Sequence, residues 1–178
     1  RARGCAVSRR RRALAWLLPV VVLIASAGCS SDEAETGPPL IGNRAQLCDD
    51  RVDAAKAGAV IDQAVAGLHE LTTFAAGQRQ GECALLDDDG GALVSVQVVY
   101  DANGKALGTE LEQLSQQENY TGDDRSGVTG EGITTTALVA VDAHYFVRVL
   151  GLGGAAVEQR AAALLLARDV AERTRAIK

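Results

Sequence analysis

The chain has 178 residues and a formal net charge of −5, but that charge is unevenly placed. Arg1, Arg3 and Arg9 to Arg12 supply six of the 18 basic residues and none of the 23 acidic ones precedes Cys29, so the stretch from Cys29 onward carries about −11. Such a surface repels a phosphate backbone, which argues against a nucleic-acid partner, and its length of about 150 residues suits one domain with a real core rather than two.

Arg9 to Arg12 lead into an apolar run from Ala13 to Ala25, followed by Ser26, Ala27, Gly28 and Cys29. A basic head, a short apolar middle and small residues form the order of an export signal with a cleavage site. The run is about 13 to 16 residues long and contains Pro19, against the roughly 20 apolar residues of a membrane-spanning helix. The residues before Cys29 resemble a bacterial lipobox, in which the cysteine thiol takes a diacylglycerol and becomes the first residue after cleavage. Residues 1–28 then read as a lipoprotein signal peptide, with lipidation expected at Cys29 and Cys5 leaving with the signal. An ordinary cleaved signal and an uncleaved anchor are the alternatives.

Ser30 to Pro39 is polar and aperiodic and ends in two prolines, so 29–39 reads as a flexible tether with a reach of about 33–36 Å. One extracytoplasmic domain is expected over 40–178. With Cys5 removed and Cys29 lipidated, Cys48 and Cys83 remain, and an even pair in an oxidising compartment reads as a disulfide. Closing a loop of about 35 residues stabilises a fold by about 4 kcal/mol in the chain-entropy account. A zinc site needs two more ligands, and neither His69 nor His144 stands at ligand spacing to these cysteines.

Asp53 is placed to cap a helix through Ala54, Ala57, Val60 and Ile61. Apolar spacing at Ala64, Leu68 and Leu71 extends that helix, whereas Gly58, Gly67 and the run Leu71-Thr72-Thr73-Phe74 favour a strand, and both readings stay open over 63–74. Residues 83–86 and 92–100 form a hairpin across the acidic turn Asp87 to Gly91, with Val94, Val96, Val98 and Tyr100 on one face and Ser95 and Gln97 on the other. Asp101 to Gly104 turns the chain into a helix over 105–117 with Leu107, Leu111 and Leu114 inward.

Residues 119–132 read as a polar, Gly-rich loop, and 121–132 as the candidate binding surface. A second hairpin, 134–141 and 144–150, turns at Asp142-Ala143 and points Tyr145, Val147 and Val149 inward. A helix over 155–177 closes the chain, with Ala163, Leu166, Val170 and Ile177 on one side. The fold class is α+β: an antiparallel sheet built from hairpins, flanked by helices including a long C-terminal one.

Three motifs fail on their own chemistry. Gly151-Leu152-Gly153-Gly154 follows a strand and opens a helix, but no second parallel strand follows to complete a dinucleotide site, so no cofactor is expected. Asp87 to Gly91 lacks the glycine and glutamate of a calcium loop, and no metal is expected. His69 and Glu70, as neighbours on a strand, point to opposite faces, and Asp142 and His144 flank a tight turn without an evident nucleophile, so no catalytic residue is assigned and both histidines are expected at the surface.

The lipobox, the Ser/Asp/Glu/Pro tether, Leu47-Cys48 before a short helix and Gly81-Glu82-Cys83 entering a hairpin together resemble small actinobacterial lipoproteins with a two-cysteine extracytoplasmic domain of unknown function. The resemblance implies an acylated (palmitate-type) protein on the outer face of the cell membrane, with no catalytic residues. The function expected is a non-enzymatic ligand- or protein-binding domain. Its partners are the membrane, through the lipid on Cys29, and an envelope protein or a small ligand. A regulatory or structural accessory of a membrane sensor or transporter is the alternative, followed by an envelope hydrolase.

Overall fold

The computed structural model describes residues 47–73, 79–131, 134–152 and 157–177. The signal segment 1–28, the lipidation site Cys29, the tether and the expected domain start near Leu40 lie outside the described residues. Among those described, the chain forms α1 (Cys48–Arg51), α2 (Ala54–Ile61), β1 (Gly67–Thr72), β2 (Gln80–Leu86), β3 (Ala92–Tyr100) and α3 (Ala106–Ser115). It continues through β4 (Thr121–Gly122), β5 (Ser126–Glu131), β6 (Thr134–Ala140), β7 (Tyr145–Leu152) and α4 (Val157–Ala176).

The strands make one antiparallel sheet in the order β1-β2-β3-β7-β6-β5-β4. β3 and β7 meet at its centre, Val96 opposite Val149 and Val98 opposite Val147. Side chains alternate across a strand, so these valines, with Val94, Tyr100 and Tyr145, share one face. α4 lies across that face. Ala163, Ala167 and Ala171 recur every fourth residue as a buried ridge of small side chains, and Leu166 and Val170 fill the space beside it. Ile177 packs half-buried at its end. The expected α+β architecture with a long C-terminal helix is the one observed.

α1 and α2 complete this layer. Asp53 caps α2 by accepting from the Lys56 amide at 3.0 Å, which holds its carboxyl below the usual range. Arg173 of α4 reaches Asp53 at 3.2 Å and Asp169 at 3.0 Å, and Lys56 also pairs with Asp169. α2 ends at Ile61, where Asp62 takes a left-handed φ of 53° and its N–H bonds the Gly58 carbonyl. The ambiguity over 63–74 is thereby resolved: the chain leaves the helix and enters β1, while Phe74 lies outside the described residues.

On the opposite face α3 packs by a separate, smaller seam. Leu111, with half-buried Ala106, Leu107 and Leu114, rests on Leu138, Phe146 and Val99. The expected polar loop over 119–132 is not a loop: its described residues 121–131 form β4, a tight turn and β5, and residues 126–130 are buried. Val128 is the one large apolar side chain in that stretch, so no alternation reveals the strand. It forms because β6 offers a full edge, paired from Ser126–Val139 to Glu131–Thr134. Gly122 is required there: a Cβ would stand 2.5 Å from the Ser126 carbonyl oxygen and 2.7 Å from the Gly127 Cα, while one at Gly127 would press on the Tyr120 and Leu111 side chains.

Candidate functional site

At one end of the sheet the β3–α3, β4–β5 and β6–β7 connections converge around a cleft of about 550 Å³. Its floor is apolar, from Leu107, Ala140, Val141, Tyr145 and Phe146. Its rim carries Asp101, Asp124, Arg125, Asp142 and His144. The size falls within the roughly 300–1,000 Å³ of small-molecule sites. A second space, between α2, α4 and the other end of the sheet, measures only about 70 Å³ and has no charged side chain in its wall.

Each of the three connections is pinned by an aspartate accepting backbone N–H groups. Asp101 takes those of Asn103 (3.0 Å), Lys105 (2.5 Å) and Ala106 (2.6 Å), and so holds the chain at the start of α3. Asp123 takes Arg125 (2.8 Å) and Ser126 (2.7 Å), and Asp142 takes His144 (2.7 Å) and Tyr145 (2.9 Å). The bond from Ala106 is the main reason the Asp101 carboxyl lies below its usual range, and that from Arg125 does the same for Asp123. The acidic look of this end is thus structural, since three carboxylates are engaged by the loops they hold.

Two of the loops are also tied to each other. The Asp101 N–H bonds the His144 carbonyl at 2.8 Å, and His144 Nδ1 lies 3.1 Å from the Asp101 carbonyl. A carbonyl only accepts, so Nδ1 is the donor in this contact. Gly104 (φ 64°) is needed between them, because a Cβ would stand 2.6 Å from the Ala143 carbonyl oxygen. From beneath, Arg175 of α4 donates to the carbonyls of Val141 (2.8 Å) and Ala140 (2.6 Å). Burial pushes the Tyr145 phenol up in pKa, Tyr100 adds to this, and buried Arg51 opposes it.

Cys48 and Cys83 are joined as expected, with an S–S distance of 2.11 Å and Cα atoms 5.3 Å apart. Glu70, directly opposite Cys83 in the β1–β2 register, accepts from the Leu47 and Cys48 amides at 2.8 and 2.7 Å. The residue paired with His69 in sequence therefore anchors α1, while His69 itself is exposed on β1, outside the cleft. His144 is exposed and faces the cleft. The Asp87 to Gly91 tip is a turn in which Asp87 accepts from Asp89 and Gly91. Gly153 and Gly154 lie outside the described residues.

Sequence reasoning missed the cleft, wholly buried Arg51 and the role of Glu70. A recurring aspartate at the head of each of the three turns was the one signal available for the cleft. Among the described residues, no group of three or more His, Cys, Asp and Glu is placed to hold a metal ion, and no helix is long and apolar enough to cross a membrane. Comparison with protein-family models and with curated proteins finds no match for this chain.

Proposed function

We propose that the chain is a membrane-anchored lipoprotein of the cell envelope, held at the outer face by the lipid on Cys29. Its domain binds a small ligand and does no chemistry on it. The observation that carries this reading is the cleft: an apolar floor of ligand size inside a polar rim whose loops are fixed before any ligand arrives. The ligand class that fits is a molecule with an apolar body resting on Leu107 and Phe146 and a polar end meeting Asp124, Arg125 and His144. The non-enzymatic reading is supported by the engagement of Asp101 and Asp142 with backbone amides, which leaves neither poised beside a nucleophile. The Cys48–Cys83 disulfide fits an oxidising compartment.

Gly108 lines the cleft, and a Cβ there meets nothing within 4 Å, so Gly108→Trp adds a large side chain to the cleft wall from a backbone position that accepts one. The test is purification of the full chain from membranes and mass spectrometry of whatever small molecule accompanies it. Gly108→Trp is expected to abolish that co-purification, and retention of the same molecule removes the cleft from the reading. Intact mass of the same preparation checks the anchor, since an unmodified Cys29 removes the lipoprotein part.

A further inference from the structure

We infer that α3 is a hinged cover, which opens independently of the main core and lengthens the cleft along the apolar strip Val99–Phe146–Leu138. This deepens the binding reading by giving the ligand a route in, and it rests on that reading only for the ligand.

Three observations carry it. First, α3 does not share the main core. Its seam is a separate cluster of Leu111 with half-buried Leu107 and Leu114, and Leu107 and Phe146 belong both to that seam and to the cleft wall. A body entering the cleft therefore presses on the contacts that keep α3 down. Second, α3 has ten residues, a length at which a helix depends on its packing, and it carries Gly108 in its middle. No contact explains that glycine, because a Cβ there meets open space, and its effect is to weaken the helix.

Third, a polar latch closes the helix over the strip. Glu110 of α3 pairs with Arg148 of β7, whose guanidinium lies 5.9 Å from the Phe146 ring centre and donates to Gln97 at 3.1 Å. Both partners are about a quarter exposed, so water can take over their bonds when the helix lifts. Asp101 at one end and the Thr129–Gln117 hydrogen bond (2.9 Å) at the other retain the chain while the middle moves. Local openings of this kind cost less than global unfolding and are read directly by amide exchange.

The test is hydrogen exchange on the full chain, with β3 and β7 amides as the internal reference, joined to binding of the uncharged fluorophore N-phenylnaphthylamine. Glu110→Gln keeps helix propensity and removes the charge, so it is expected to speed exchange across 106–115 by up to about fivefold. Gly108→Ala is expected to slow it by about fivefold. Both should leave β3 and β7 unchanged, and fluorophore binding should rise with Glu110→Gln, whose side chain lies outside the cleft wall. Exchange of α3 at the same rate as β3 and β7, unmoved by either substitution, overturns the cover. Altered exchange with unchanged fluorophore binding overturns its role as a way into the cleft. Neither arm needs the natural ligand, so a failed Gly108→Trp experiment is a distinct result.

Discussion

The face of the sheet under α4 wholly buries Val96, Val98, Val147 and Val149 and is cross-linked at its margin by Cys48–Cys83, whereas the face under α3 buries Leu138 and Phe146 beneath one short helix and a partly exposed ion pair. The central strands are common to both, since alternation sends Val147 to one side and Phe146 and Arg148 to the other. One face therefore supplies stability and the other can yield without unfolding the sheet. The cleft lies at the end of the face under α3, its loops held by three aspartates and its wall formed on one side by that helix.

The largest effect expected from breaking this contrast comes from the disulfide. Replacing Cys48 and Cys83 together by serine should cost about 4 kcal/mol for a sequence separation of 35, measured by urea unfolding, and a loss under about 1 kcal/mol would show that packing alone holds α1. Next, Leu166→Ala in the α4 layer should cost about 2–5 kcal/mol of global stability. Leu111→Ala should instead loosen residues 106–115 while β3 and β7 stay protected in hydrogen exchange. Equal loss of protection in both regions would erase the distinction between the faces.

Glu70→Ala should cost about 2 kcal/mol, because two amides of the α1 entry lose a charged acceptor, and retention of full stability would assign that entry to the disulfide alone. The smallest effect is from acid. Asp101 and Asp123 have folded-state values lowered from the usual 3.8, so what they contribute is fully present above that value and is lost as pH falls through the lowered one. Below about pH 4 the β3–α3 and β4–β5 amides should lose protection before the centre of the sheet, and simultaneous loss everywhere would remove the aspartates as the clamps of the cleft.

Hairpin alternation in β3 and β7, the acidic turn at Asp87, the Asp53 cap and the inward side of α4 were legible because each rests on interactions a few residues apart. β4 and β5 were not, since their glycines answer to Tyr120 and Leu111, β5 pairs on the edge of β6 and β4 in turn on β5. The disulfide was legible from cysteine parity, but Glu70 beside it was not, because its partners lie 23 and 22 residues earlier. Arg51 gave no sign of burial, as α1 meets α4 and Arg51 acts on Tyr145 only in the folded chain.

By itself the sequence determined the α+β class, the central strand faces, the long closing helix and the pairing of Cys48 with Cys83, since periodicity, turn chemistry and cysteine count are local or countable properties. Tertiary structure alone decided that three distant turns share one end of the sheet, that their aspartates serve backbone amides, and that α3 packs on a seam of its own. Those features depend on strand order, and the order β3-β7-β6-β5 is fixed only when the two halves of the chain pair across the middle of the sheet.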